Sequence, residues 1–122
     1  MKLFDSELKV MEVLWERGDA TAKEISGILK ERVGWNVNTT YTVIKKCVAK
    51  GAVLRSEPNF QCHALVTREE VRAAETEELL GKLFDGSPEL LFASLLNSQK
   101  LSREQLKRLR LMVSVMEQEH RP

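Results

Sequence analysis

Three glycines, Gly18, Gly34 and Gly51, constrain this chain more than any other feature of its sequence. Each follows a stretch with helical apolar spacing, and glycine just past such a stretch is a stop signal. The first helix is predicted over Asp5 to Arg17, with Leu8, Met11, Leu14 and Trp15 on one face and Gly18-Asp19 ending it. The second opens on a T-x-x-E capping box, Thr21 to Glu24, whose side chains satisfy two backbone N–H groups reciprocally. Its buried stripe is Ile25, Ile28, Leu29 and Val33. After a short loop, Trp35 to Val37, Asn38 is the predicted N-cap of a third helix that Gly51 closes. Three short helices, the last two joined by a brief connection, predict a helix-turn-helix.

Beyond Gly51 the period changes. Val53 to Ser56 and Phe60 to Leu65 flank Glu57-Pro58-Asn59, which reads as a turn between two strands. A lone hairpin cannot bury a core, so it is expected to lie against the helices as a wing. Helical spacing then returns. Thr67 and Glu70 form a second capping box, with Val66 and Val71 as its hydrophobic staple, on a helix running towards Phe84 and stopping near Asp85-Gly86. Pro88 opens the next helix, which Leu90, Leu91, Phe92, Leu95 and Leu96 make apolar around much of its circumference. Ser102 and Gln105 cap the last, with Leu101 and Leu106 as staple. Its residues Leu106, Leu109, Val113 and Met116 follow coiled-coil-like spacing.

The expected fold class is mainly α with a small β-hairpin. A winged-helix domain is expected over residues 1–66 and a helical dimerisation region over 67–122. Three helices that follow a complete winged domain bury their faces poorly alone, which points to a second copy. The residues expected to meet it are Leu79, Leu83, Leu91, Leu95, Leu106, Leu109, Val113 and Met116.

Composition removes several function classes. At 122 residues, 43% hydrophobic and 30% charged, the chain has a globular balance. It contains no apolar run near the roughly 20 residues of a bilayer crossing. Lys2, Asp5, Glu7 and Lys9 leave the N-terminus without a signal-peptide core, so a cytoplasmic protein is expected. Cys47 and Cys62 are too few for a disulfide framework and read as reduced thiols. The two histidines, His63 and His120, assemble no catalytic constellation, and neither a Gly-rich phosphate loop nor a zinc signature occurs. Cys62 and His63 are adjacent on a strand and point to opposite faces, which rules out easy chelation of one ion. No enzymatic activity, metal or cofactor is expected.

The net charge of +1 does not by itself suggest a nucleic-acid partner, but its distribution does. Between Glu31 and Glu57 lie Arg32, Lys45, Lys46, Lys50 and Arg55 with no acid among them, whereas Glu69 to Glu89 is strongly acidic. At ~100° per residue, Ile44, Cys47 and Val48 centre the inner face of the third helix. Asn38, Thr39, Thr42, Lys45, Lys46 and Ala49 lie opposite, with Tyr41 and Lys50 on the flanks. Short polar side chains let a helix sink into the ~12 Å major groove of DNA and reach base edges. Lysines further along can meet phosphates. A solvated face would carry similar residues, and the accompanying hairpin tips the balance to DNA. The alternatives are a protein-interaction module for an acidic partner and a small-molecule-sensing regulator with a pocket between the two halves.

The chain resembles the penicillinase-repressor family (BlaI/MecI type) of bacterial transcriptional repressors, essentially from end to end. The resemblance is carried by Glu7 to Met11 with Leu14-Trp15, Thr21 to Ile25, Trp35 to Thr42, Lys50 to Val53, Leu65 to Glu70, and Leu101-Ser102 leading into Leu106. It implies a homodimer on double-stranded DNA, at a palindromic operator, held together by intertwined C-terminal helices. It also implies release of repression when a membrane metalloprotease sensor of the BlaR/MecR type leads to cleavage. Carried onto this chain, the base-reading and backbone-contacting positions are Asn38, Thr39, Tyr41, Thr42, Lys45 and Lys46; Lys50 and Arg55 of the basic stretch complete the expected DNA-binding set. Two positions depart from the family pattern. The wing tip is Glu57-Pro58-Asn59 where many relatives carry Gly-Arg, and the family's Asn-Phe cleavage pair aligns with Ser94-Leu95.

Overall fold

Caps and stops place the helix ends in the computed structural model, which describes residues 1–120. Helix α1 spans Asp5–Arg17, with acids in its first turn and Arg17 in its last, as the helix dipole favours. A two-residue strand β1, Ala20–Thr21, leads into α2, Ala22–Val33, where the Thr21 hydroxyl accepts the Glu24 N–H at 3.1 Å. Gly34 closes α2 in the left-handed region at φ 72°, a conformation a Cβ would strain.

Helix α3, Val37–Lys50, starts two residues earlier than expected. Its cap is Asn36 rather than Asn38, and the Asn36 side chain accepts the Thr39 N–H at 2.8 Å. The start is held by local bonds: besides the Asn36 cap, the Thr40 hydroxyl donates to the Asn36 carbonyl at 3.4 Å, and Thr40 lies in the inward row with Val43, Ile44 and Cys47. Asn38 becomes an exposed residue of the first turn.

Strands β2, Val53–Ser56, and β3, Gln61–Ala64, form the expected hairpin. The sheet nevertheless has three strands, in the order β1-β3-β2, all antiparallel. Two residues are too few to show a period, so β1 left no sequence signal. Its pairing of Ala20 with Cys62 and Thr21 with Gln61 joins the hairpin to the start of α2. The Ala22 N–H extends that join to the Phe60 carbonyl at 3.0 Å.

The core draws Val10, Met11, Val13 and Leu14 from α1, Ile25 and Leu29 from α2, Ile44 and Cys47 from α3, and Val53 and Cys62 from the sheet. Val33, expected in the stripe of α2, is exposed, because α2 turns its last residue past the edge of the core. Among the described residues, the one buried carboxylate is Glu7, 1% exposed. Lys50 at the far end of α3 meets it at 2.6 Å, donates to the Lys2 carbonyl at 2.8 Å, and sits 4.2 Å from the centre of the Phe4 ring.

Helices α4 (Arg68–Leu83), α5 (Pro88–Asn97) and α6 (Arg103–Glu119) complete the chain. Thr67 caps α4 by accepting the Glu70 N–H, Ser87 caps α5 ahead of Pro88, and Ser102 with Gln105 forms the full capping box of α6. The chain divides into two compact units, Met1–Thr76 and Glu77–Pro122. The division falls within α4, beyond the expected residue 66, because the first turns of α4 belong to the first core. Val71 is buried there, the Trp15 indole donates to the Val66 carbonyl at 2.9 Å, and Lys2 pairs with Glu75 at 3.3 Å. In the second unit, none of the described residues is buried. No helix among the described residues is long and apolar enough to cross a membrane.

Burial alone would raise the pKa of Glu7, but the Lys50 ammonium and the Phe4 N–H outweigh it and hold the carboxyl below its ordinary 4.5. A carboxyl depressed in this way stabilises the fold above the unfolded-state pKa, and the contribution is lost as pH falls through the folded-state value. Glu7→Ala is expected to cost about 2–3 kcal/mol in urea unfolding at neutral pH, at or below the lower end for a broken buried pair because Lys50 keeps some solvent. The difference between wild type and Glu7→Gln shrinks as pH is lowered below the ordinary carboxylate range; a difference that grows there contradicts the assignment.

Candidate nucleic-acid interface

The inward row of α3 fixes what its outer face can offer. With Thr40, Val43, Ile44 and Cys47 packed inside, Asn38, Thr39, Thr42, Lys45, Lys46 and Ala49 are all exposed on the other side. The first turns therefore present short hydroxyl and amide groups, and the lysines follow one turn on. Among the described residues neither Lys45 nor Lys46 takes part in an ion pair, so both ammonium groups face solvent for an outside partner.

Tyr41 lies at the edge of this face, half-buried, with its ring edge-on to Phe60 at 5.8 Å between centroids and 86° between planes. That contact seats the wing beside the N-terminal half of α3. In the wing, the Arg55 guanidinium stacks 3.6 Å from the Phe60 ring centre and pairs with Glu57 at 2.8 Å. Glu57 also accepts the Phe60 N–H at 3.1 Å. The two bonds, the Phe60 N–H first and Arg55 second, lower the Glu57 pKa. Asn59 and Phe60 both take positive φ, 70° and 50°. Asparagine tolerates that region, whereas a phenylalanine there needs its surroundings to hold it.

Of the eight residues expected at the interface, Asn38, Thr39, Thr42, Lys45 and Lys46 share one open face and Tyr41 borders it. The remaining two are engaged elsewhere. Lys50 is committed to Glu7 and the Lys2 carbonyl, and Arg55 is held between Glu57 and Phe60. Sequence reasoning missed both partnerships for different reasons. Glu7 and Lys50 lie in different helices far apart in the chain, and no local spacing rule connects them. Arg55 and Glu57 are only two residues apart, but Glu57 lies in the turn beyond the end of β2, where strand alternation no longer says which side chains meet.

Other groups that could carry chemistry are inert or dispersed. Burial pushes the Cys47 thiol up to about 12 and the Cys62 thiol up to about 11, so neither is a thiolate at neutral pH. Cys62 is buried and its neighbour His63 is exposed, 2.7 Å from Asp19, as strand alternation requires. Among the described residues no group of His, Cys, Asp and Glu is placed to hold a metal ion.

The penicillinase repressor family model matches residues 3–114. The methicillin resistance regulatory protein MecI of Staphylococcus aureus (strain N315) is 23% identical over 111 residues, covering 89% of this chain and 90% of that protein. The MecI proteins of Staphylococcus epidermidis and Mammaliicoccus sciuri match to the same extent. Among solved structures, the DNA binding domain of the repressor BlaI covers 57% of this chain and 87% of its own, with a TM-score of 0.53 at 22% identity. That likeness is one of fold: three helices and a wing, the winged helix. With a family match over nearly its whole length, the chain belongs to the penicillinase-repressor family.

Proposed function

We propose that this protein is a transcriptional repressor that binds a palindromic operator as a homodimer in the cytoplasm, with α3 as the reading helix. The observation that carries this is the unobstructed outer face of α3, where Asn38, Thr39 and Thr42 precede Lys45 and Lys46. The names of the relatives, a repressor and regulators of methicillin resistance, agree with it. Short polar groups would meet base edges, and the lysines would meet phosphates and fix register. Lys50 and Arg55 are left out of the contact set because their charges are already partnered.

The dimer rests on the second unit. Leu79, Leu83, Leu95, Leu106, Val113 and Met116 are exposed, and Leu91 and Leu109 are only half-buried. Full burial of such a side chain is worth about 1.5–3 kcal/mol. A second copy of the same helices can supply that cover, and its two-fold symmetry matches a palindrome with half-sites ~34 Å apart or a multiple of it. Ser94 and Leu95 stand in the middle of α5, exposed in the single chain and covered in the proposed dimer. A sensor protease with an Asn-Phe preference finds neither residue there, so release through a BlaR/MecR-type sensor is proposed to use another bond or another signal.

Two experiments test the reading, both on a duplex selected by the protein from a random library. Lys46→Ala is expected to weaken binding to every sequence and to flatten the salt dependence by about one unit of log–log slope. Thr42→Ala is expected to change discrimination at one base pair, by roughly 1–3 kcal/mol. If both variants bind as wild type does, α3 is not the reading helix, and if competition is equal for any polyanion the protein-interaction alternative gains. In sedimentation, Leu106→Asp with Val113→Asp is expected to convert a dimer into a monomer and to cut affinity for the selected duplex by about 100-fold or more, as loss of one linked half-site demands. A variant that stays dimeric moves the interface out of the C-terminal helices.

A further inference from the structure

The wing carries a charge arrangement that recognition by α3 does not use. Arg55 is the cation of the hairpin, yet its guanidinium is bound to the Glu57 carboxylate at 2.8 Å and lies over the Phe60 ring, 3.6 Å from its centre. Glu57 is itself fixed, because it accepts the Phe60 N–H at 3.1 Å as well. The cluster is seated beside the reading face through the Tyr41–Phe60 contact, and Glu57 lines a concavity shared with Thr21, Lys23, Tyr41 and Phe60. A phosphate approaching this side of α3 would meet a carboxylate at the wing and an arginine already paired.

We propose that Glu57 sets the strength and selectivity of DNA binding, by withholding Arg55 from phosphates and placing a negative charge beside the reading face. The proposal rests on the DNA-binding reading above and deepens it. Its consequence follows from how specificity works. Phosphate contacts raise affinity for all sequences alike, and a repressor must find its site among a large excess of non-specific DNA. A clamped arginine removes one such contact without touching the groups that read bases. The bound sequence is then chosen by Asn38, Thr39 and Thr42, while the wing contributes little to sequence-independent binding.

The test compares wild type, Glu57→Gln and the double variant Arg55→Ala/Glu57→Gln on two duplexes: one of random sequence, about 30 base pairs long, and one selected by wild type. Glutamine keeps a carbonyl oxygen for the Phe60 N–H, and matched thermal midpoints check that the wing stays folded. Glu57→Gln is expected to bind the random duplex roughly five- to tenfold more tightly near 0.1 M salt, with the log–log salt slope steeper by about one unit, as one added phosphate contact requires. The ratio of selected to random binding falls. The double variant is expected to return the slope to the wild-type value, since the freed guanidinium is gone. If wild type binds both duplexes and Glu57→Gln binds them no more tightly, or less tightly, this proposal is overturned and the DNA-binding reading stands. A gain in affinity that survives in the double variant with its steeper slope overturns the role of Arg55. If no variant, wild type included, binds either duplex in a salt-dependent way, both readings fall together.

Discussion

The buried carboxylate of Glu7 ties together the segment around Lys2, the start of α1 and the end of α3. It accepts from the Phe4 N–H at the start of α1 and from Lys50 at the end of α3, and Lys50 in turn reaches the Lys2 carbonyl. A pair of this kind adds modest net stability, because desolvating both charges offsets much of their attraction. Its value here is register. Apolar packing carries no directional bond between α1 and α3, whereas a buried carboxylate left without its ammonium is costly. The tie therefore sets where α3 lies along α1, and with it where Thr42, Lys45 and Lys46 emerge on the surface.

Charge is then allocated by position rather than by amount. A net charge of +1 gives no general attraction to a polyanion. Three of the five cations in the basic stretch are partnered within the fold, Arg32 with Glu16, Lys50 with Glu7 and Arg55 with Glu57, and Lys45 and Lys46 are left open. A surface of this kind depends on geometric fit more than on long-range attraction.

The second unit follows a different constraint. Its helices have complete caps and stop signals, so each is well defined locally. Capping satisfies backbone groups and does nothing for apolar side chains. Exposed leucines on α4, α5 and α6, with no described residue of the unit buried, leave the hydrophobic term of folding largely unrealised in a single chain. The homodimer proposed above would supply the missing surface.

Much of the local structure was legible in the residues themselves. Gly18, Gly34 and Gly51 ended their helices, Thr21, Thr67 and Ser102 capped theirs, Pro88 opened α5, and the hairpin formed around Glu57-Pro58-Asn59. These signals act within a few residues, where backbone hydrogen bonding and φ preference dominate. The outer face of α3 was legible for the same reason, since helical period alone separates Thr42, Lys45 and Lys46 from Ile44 and Cys47. Tertiary structure decided the rest. It added β1 to the sheet and drew the first turns of α4 into the first core. It also withdrew Lys50 and Arg55 from the open basic set. A sequence shows which residues carry charge, but which charges remain available depends on distances between side chains, and only the folded chain sets those distances.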